Sequence, residues 1–228
     1  MKRILVVAAH PDDDILGCGA TISKAIQEGC ACRIIFLAEG TSARYDLGEF
    51  DSKKVSDEIE HRTEYCKNAL NVIGCTEYKF YNLPCGRLDC QPLIDIGKII
   101  EKEIKSFHPD TIFTHSNVDT NNDHRTVFQA VLQATRPGAL NRVSRLYSFE
   151  VLTSTEWRFV EAFSPNYFVS ITKEQLETKI NALNEYKSEI KDYPYPRSSQ
   201  GLTALASIRG MQAGTEYAEA FVLIREIV

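Results

Sequence analysis

The chain has 228 residues, a length suited to one α/β domain spanning 1–228, and its 43% hydrophobic content is ordinary for a globular protein. Its formal net charge of −5, with no long basic block, argues against a nucleic-acid partner. Seven cysteines, an odd number at irregular spacing with no C-x-x-C, predict reduced thiols in a cytoplasmic protein rather than a disulfide framework.

Met1–Ala9 (M-K-R-I-L-V-V-A-A) reads as a buried strand. Its apolar run ends in charged residues after about seven positions, too short for a signal peptide or a membrane span. His10-Pro11 follows, then three acids, Asp12, Asp13 and Asp14, and then a helix whose apolar spacing is clear over Gly17–Glu28, with Gly29 to stop it. Ala31–Ala38 is a second strand. Residues Glu39–Lys54 read as a long loop, of the kind that often forms a lid. Ser56–Ile73 is a helix, Glu77–Asn82 a strand, Leu83–Gln91 a loop, Pro92–Phe107 a helix and Thr111–Thr114 a short strand. A polar loop from His115 to Arg125 leads into a helix over Thr126–Thr135. Beyond it, strands are expected at Arg145–Glu150, Asn166–Ile171 and Ala220–Ile224, and helices at Lys173–Ile190 and Leu202–Met211. Asp192–Arg197 (D-Y-P-Y-P-R) reads as a rigid exposed turn.

Strand and helix alternate through the first half, which argues for a parallel sheet with right-handed crossovers. In the usual doubly wound order the first strand lies beside the fourth, where the winding reverses and ligands bind. The His10 turn and the His115–Arg125 loop should then face each other. Capping the helix N-terminus accounts for one or two of the three acids, but not for three beside a histidine. A divalent cation would account for all of them, and histidine nitrogen with carboxylate oxygen suits zinc or another first-row metal. Three of the five histidines fall in these two loops. That concentration favours a metal site over capping.

The stretch A-H-P-D-D-D at Ala9–Asp14 resembles the A-H-P-D-D-[ED] motif of the LmbE-like, or PIG-L, de-N-acetylases, and N-N-D-H-R at Asn121–Arg125 is similar to that family's H-P-D-H segment. H-R-T-E at His61–Glu64, L-P-C-G-R-L-D at Leu83–Asp89, A-T-R-P at Ala134–Pro137 and R-G-M-Q-A-G-T-E-Y-A-E-A-F at Arg209–Phe221 follow in the expected order. The resemblance implies a Rossmann-like, mostly parallel sheet with helices on both faces. It also implies zinc-dependent removal of an acetyl group from an N-acetylated amino sugar, free, nucleotide-linked or lipid-linked. By motif position His10, Asp13 and His124 would hold the metal and Asp12 would be the general base. Asp123 would orient a catalytic histidine or the site around it.

Two positions depart from the pattern. The family's oxyanion-stabilising histidine is Asn121 here, so that role falls to Asn121 or to His115. Cys85 replaces an aspartate that contacts the sugar, which leaves the identity of the sugar open. Arg87 beside it, and Arg62 at the start of a predicted helix, are further candidates for substrate contact, with a solvated helix residue as the alternative for Arg62. The role of Asp14 is open. The implied partner is an N-acetyl amino sugar, with no nucleic acid and no transmembrane segment, and a homo-oligomer is left open. The alternatives are a metal hydrolase of another acylated amine, such as a thiol-sugar precursor, and a non-catalytic sugar-binding domain of the same fold.

Overall fold

The protein is described by a computed structural model covering residues 1–46, 48–50, 52–138 and 143–228. One seven-stranded sheet runs in the order β3-β2-β1-β4-β5-β7-β6. Its strands are β1 (Arg3–Ala8), β2 (Ala31–Ala38), β3 (Glu77–Leu83), β4 (Thr111–His115), β5 (Arg145–Phe149), β6 (Tyr167–Ile171) and β7 (Tyr217–Glu226). The first five are mutually parallel, and β7 and β6 add to the edge antiparallel. As expected from the alternation, β1 lies between β2 and β4.

The central strand shows why its sequence is apolar throughout. Successive side chains of a strand point to opposite faces. Ile4, Val6 and Ala8 pack on one face with Ile15, Leu16 and Ile22 of α1 (Asp13–Gln27), Leu70 and Ile73 of α2 (Lys53–Ile73), and Leu183 of α5 (Lys173–Asn184). Leu5 and Val7 pack on the other with Ile96, Ile100 and Phe107 of α3 (Leu93–Phe107) and Val127 and Val131 of α4 (Asn122–Ala134). A strand covered on both faces has no polar side, so no alternation is visible in it. The last helix, α6 (Ser199–Ala213), precedes β7.

Several boundaries differ from the sequence reading. Helices α1 and α4 start at Asp13 and Asn122, four residues before the apolar spacing begins in each case, because the polar motif residues themselves form the first turn. Helix α5 ends at Asn184 although apolar spacing runs to Ile190; fully buried Tyr186 is packed by irregular chain rather than by helix. The expected loop Glu39–Lys54 carries a 3-10 turn at Ser42–Arg44, and its residues 47 and 51 lie outside the described residues. All seven cysteines are free. Among the described residues, no helix is long and apolar enough to cross a membrane.

Helix α1 is broken at Cys18, whose φ of −148° is not helical. Glu219 of β7 reaches into the break and accepts the N–H groups of Ala20 (3.2 Å) and Thr21 (2.7 Å). Lys179 of α5 neutralises Glu219 at 2.5 Å and donates to the Leu16 carbonyl at 2.8 Å. Backbone groups released by the kink are thus paired in the interior, as buried polar groups must be. Just before the kink, a Cβ on Gly17 would lie 2.3 Å from the ring of Phe149, so the helix approaches β5 this closely only because it has glycine there. The kinked start of α1 presents Asp12, Asp13 and Asp14 at the sheet's carboxyl edge.

Candidate functional site

Because β1 and β4 are neighbours, the turn after β1 and the loop after β4 meet above the sheet. His10 and Asp13 come from the first, His124 from the first turn of α4. Their ligand atoms all lie within 4.8 Å of one another, and all three side chains are buried. Asp13 stands between the rings, its Oδ2 at 3.2 Å from His10 Nδ1 and its Oδ1 at 3.3 Å from His124 Nε2. Each ring leaves its other nitrogen on a carboxylate. His10 Nε2 lies 2.9 Å from Asp123 Oδ2, which also accepts the Gly86 N–H at 2.6 Å. His124 Nδ1 lies 3.0 Å from Asp119 Oδ2, and that oxygen accepts the hydroxyls of Ser154 (3.0 Å) and Thr155 (2.7 Å). A carboxylate behind each imidazole fixes its tautomer and orientation, as is usual for histidines that hold a metal.

The protonation preferences of the cluster call for a cation. Burial alone would raise Asp13, but the charge of His124 and the hydrogen bonds from His10 and His124 outweigh it and hold Asp13 well below the usual carboxylate range. Burial alone would lower His124, but Asp13 and Asp119 push it up to about 9. The acids therefore draw protons onto the rings in place of other positive charge. His124 Nε2 is buried and has no hydrogen-bond partner among the described residues. An orphaned imidazole nitrogen aimed at a carboxylate, with a second imidazole on the same carboxylate, fits a divalent ion held by two histidines and one aspartate.

Asp12 faces the other way. It takes a φ of 113°, a strained left-handed conformation for a residue with a Cβ, and its side chain makes no capping bond to α1. Capping is therefore not what Asp12 does. Its Oδ2 accepts from Arg197 Nη1 at 2.6 Å and lies 3.0 Å from Arg62 Nη2. Arg62 also donates to the Pro11 carbonyl at 2.8 Å. Both arginines bond Glu189, and Arg44 pairs with it as well, at 2.7 Å. Burial raises Glu189, but Arg62, Arg44 and Arg197 bring it down to about 2. Asp12 is raised by burial, against the pull of the same two arginines.

A family model described as GlcNAc-PI de-N-acetylase (PIG-L) matches residues 5–135 of the chain. The chain belongs to the PIG-L family. The uncharacterized deacetylase YaiS of Escherichia coli is 30% identical over 82% of this chain and 91% of its own length. A diacetylchitobiose deacetylase of Thermococcus kodakarensis is 24% identical over 96% of this chain and 82% of its own. Among solved structures, the N,N'-diacetylchitobiose deacetylase of Pyrococcus horikoshii superposes with a TM-score of 0.78 at 20% identity, covering 98% of this chain and 84% of that one.

The remaining residues singled out in this PIG-L chain fall in different places. His115 is fully buried; its Nε2 accepts the Ala9 N–H at 2.8 Å, and its ring stacks on His124 at 3.9 Å between centroids. Burial, helped by the charge of His124, pushes it down to about 3, so it is neutral and bound to the end of β1. Asn121 is the N-cap of α4 and its Oδ1 accepts the Asp123 N–H at 2.9 Å. Cys85 is buried against His10, and its N–H donates to Glu39 Oε1 at 2.8 Å. Arg87 lays its guanidinium over Phe50, 3.5 Å from the ring centre. Arg62, expected at the substrate or in solvent, is only 5% exposed and is placed behind Asp12 instead. Asp14 is buried and pushed up to about 8, chiefly by burial and then by Asp12 and Asp13, so it keeps its proton at neutral pH.

The sequence reading missed Asp119, Glu189 and Arg197. Asp119 lies in the polar loop already singled out, five residues before His124, and an acid near a candidate ligand histidine was a usable signal. Arg197 reaches Asp12 from 185 residues away, out of the turn expected to be exposed, and its side chain is 13% accessible. No local pattern announces such a contact. Glu39 was likewise overlooked: it accepts from Thr41 N, Ser42 N, Ser42 Oγ and Cys85 N, bracing two loops beside the site.

Proposed function

We propose that this protein is a zinc-dependent hydrolase that removes the acetyl group from an N-acetylated amino sugar. The observation that carries the reading is the convergence of His10, Asp13 and His124, with an orphaned imidazole nitrogen, directly beside a strained aspartate that does not join them. The named activities of the relatives support the same reaction class, acting on acetylated sugars.

In this reading His10, Asp13 and His124 hold the ion, and a protein set of three leaves room for water and substrate. The bound ion supplies Lewis acidity, which acidifies water and polarises the amide carbonyl. Asp12 is the general base. Both of its arginine contacts fall on Oδ2, which leaves Oδ1 to take a proton from water and return it to the departing amine. Arg62 and Arg197 fix the carboxylate so that it does not swing onto the ion. Either oxyanion candidate keeps a donor: the Oδ1 of Asn121 is used in capping, which leaves its amide N–H₂, and His115 accepts from Ala9 on Nε2, which leaves its proton on the unpartnered Nδ1. The free cysteines support a reducing, cytoplasmic setting.

The test is to incubate zinc-loaded protein with a panel of N-acetyl amino sugars and measure released acetate. The reading expects stoichiometric acetate and free amine from at least one of them, abolished by chelation. Acetate from none, or release that survives chelation, would contradict it.

A further inference from the structure

The arginine side of the site opens into a cavity of about 380 Å³ lined by Arg44, Thr153, Trp157, Ser188, Glu189, Lys191, Tyr195 and Arg197. Its floor, Arg197 and Glu189, is the pair that continues to Asp12. The cavity is thus linked through Arg197 to the residue assigned as base, which makes it a candidate for holding a part of the substrate away from the acetyl group.

Its chemistry is specific. Three of the lining side chains are cationic and one is acidic, in a chain whose net charge is −5. The single acid, Glu189, is already shared among Arg44, Arg62 and Arg197. Among the described residues no carboxylate pairs with Lys191, whose Nζ rests over the Tyr195 ring at 4.8 Å. Two aromatic rings, Trp157 and Tyr195, stand among these cations, and Thr153 and Ser188 add hydroxyls. Thr153 is held at a φ of 75°, a marked outlier for a β-branched residue, and its Oγ1 accepts from Arg197 Nε at 2.7 Å. Backbone strain of this sort persists where the surroundings demand one geometry. Aromatic faces suit the apolar face of a sugar ring, and surplus Arg and Lys suit a phosphate.

We propose that this cavity binds the phosphorylated part of the substrate, so that the preferred substrate is an N-acetyl amino sugar carrying a phosphate ester, with Lys191 and Arg44 on the phosphate and Trp157 and Tyr195 on the sugar or its neighbour. The proposal rests on the deacetylase reading for its acetyl group but on the cavity alone for its phosphate. Lys191 is the element that discriminates, since its charge is not spent within the protein.

Trp157 is the chain's only tryptophan, so its fluorescence reports on this cavity without any turnover. Zinc-loaded protein is titrated with N-acetylglucosamine, its 1-phosphate, the methyl diester of that phosphate, and inorganic phosphate, with calorimetry and Trp157 emission followed together. The phosphate esters should bind about tenfold or more tightly than the neutral sugar, with a saturable change in Trp157 emission. Whether monoester or diester binds better then separates a free sugar phosphate from a lipid- or nucleotide-linked one. Lys191→Ala should bring the esters down to the neutral sugar's affinity and leave the neutral sugar unchanged. Equal affinity of ester and neutral sugar, heat without a Trp157 response, inorganic phosphate binding as tightly as the sugar phosphate, or an unchanged preference in Lys191→Ala would each overturn the proposal. Acetate release from neutral and phosphorylated sugars alike would sink the subsite but not the deacetylase reading. Tight ester binding with no acetate from any sugar would do the reverse.

Discussion

The two halves of the site are built differently. The proposed metal side, His10, Asp13 and His124, is assembled from two short motifs at the starts of α1 and α4, and the sheet order brings them together. The arginine side, Asp12 with Arg62, Glu189 and Arg197, draws on a helix across the site and on an irregular segment near the carboxyl end. Adjacent residues Asp12 and Asp13 belong to different halves, and the positive φ at Asp12 is what separates them. Local motifs suffice to gather His10, Asp13 and His124, but turning Asp12 away from them takes long-range contacts.

The sharpest way to break this division is Asp12→Asn, which keeps the shape and removes the base. Acetate release should fall by about 10²–10⁴-fold with metal content unchanged. If the variant instead loses its metal, Asp12 belongs to the metal side and its role and that of Asp13 must be exchanged.

Glu189→Gln probes the arginine side through stability. The folded-state value near 2 lies below the ordinary carboxylate value of 4.5, so the group stabilises the fold at pH above the unfolded value, and that stability is lost as pH falls toward 2. The variant should be on the order of 3 kcal/mol less stable than the parent at pH 7 in denaturant titrations, with the gap closing between about pH 5 and pH 2. A gap independent of pH would show that the arginines do not hold Glu189 ionised.

A smaller effect is expected at Cys85, which lies against His10 and Asp123. If the thiol fills space, Cys85→Ser leaves turnover within a few-fold, and Cys85→Asp shifts the range of sugars accepted. Loss of turnover in the serine variant would give the thiol a direct part in the reaction.

The same division governs what could be read from the sequence. The β1–β4 adjacency, the two converging loops and the clustering of His10, Asp13 and His124 were legible because each is a pattern within a few residues, joined by a general rule of sheet winding. The starts of α1 and α4 were set too late because polar residues at a helix N-terminus show no apolar periodicity. Arg62 read as a surface or substrate residue because the sequence of an amphipathic helix does not say that one arginine turns inward to Asp12. Arg197 sat in a segment whose prolines suggested exposure, and only the folded chain shows its contact with Asp12.

The central claim is that the cluster at the sheet's carboxyl edge holds one divalent ion. Elemental analysis of protein purified with zinc and then dialysed tests it directly, on the parent and on His10→Ala and His124→Ala. The account predicts close to one zinc per chain in the parent and, in each variant, a loss of bound metal large enough to leave less than about a tenth of that. Parent-like zinc content in both variants would contradict it.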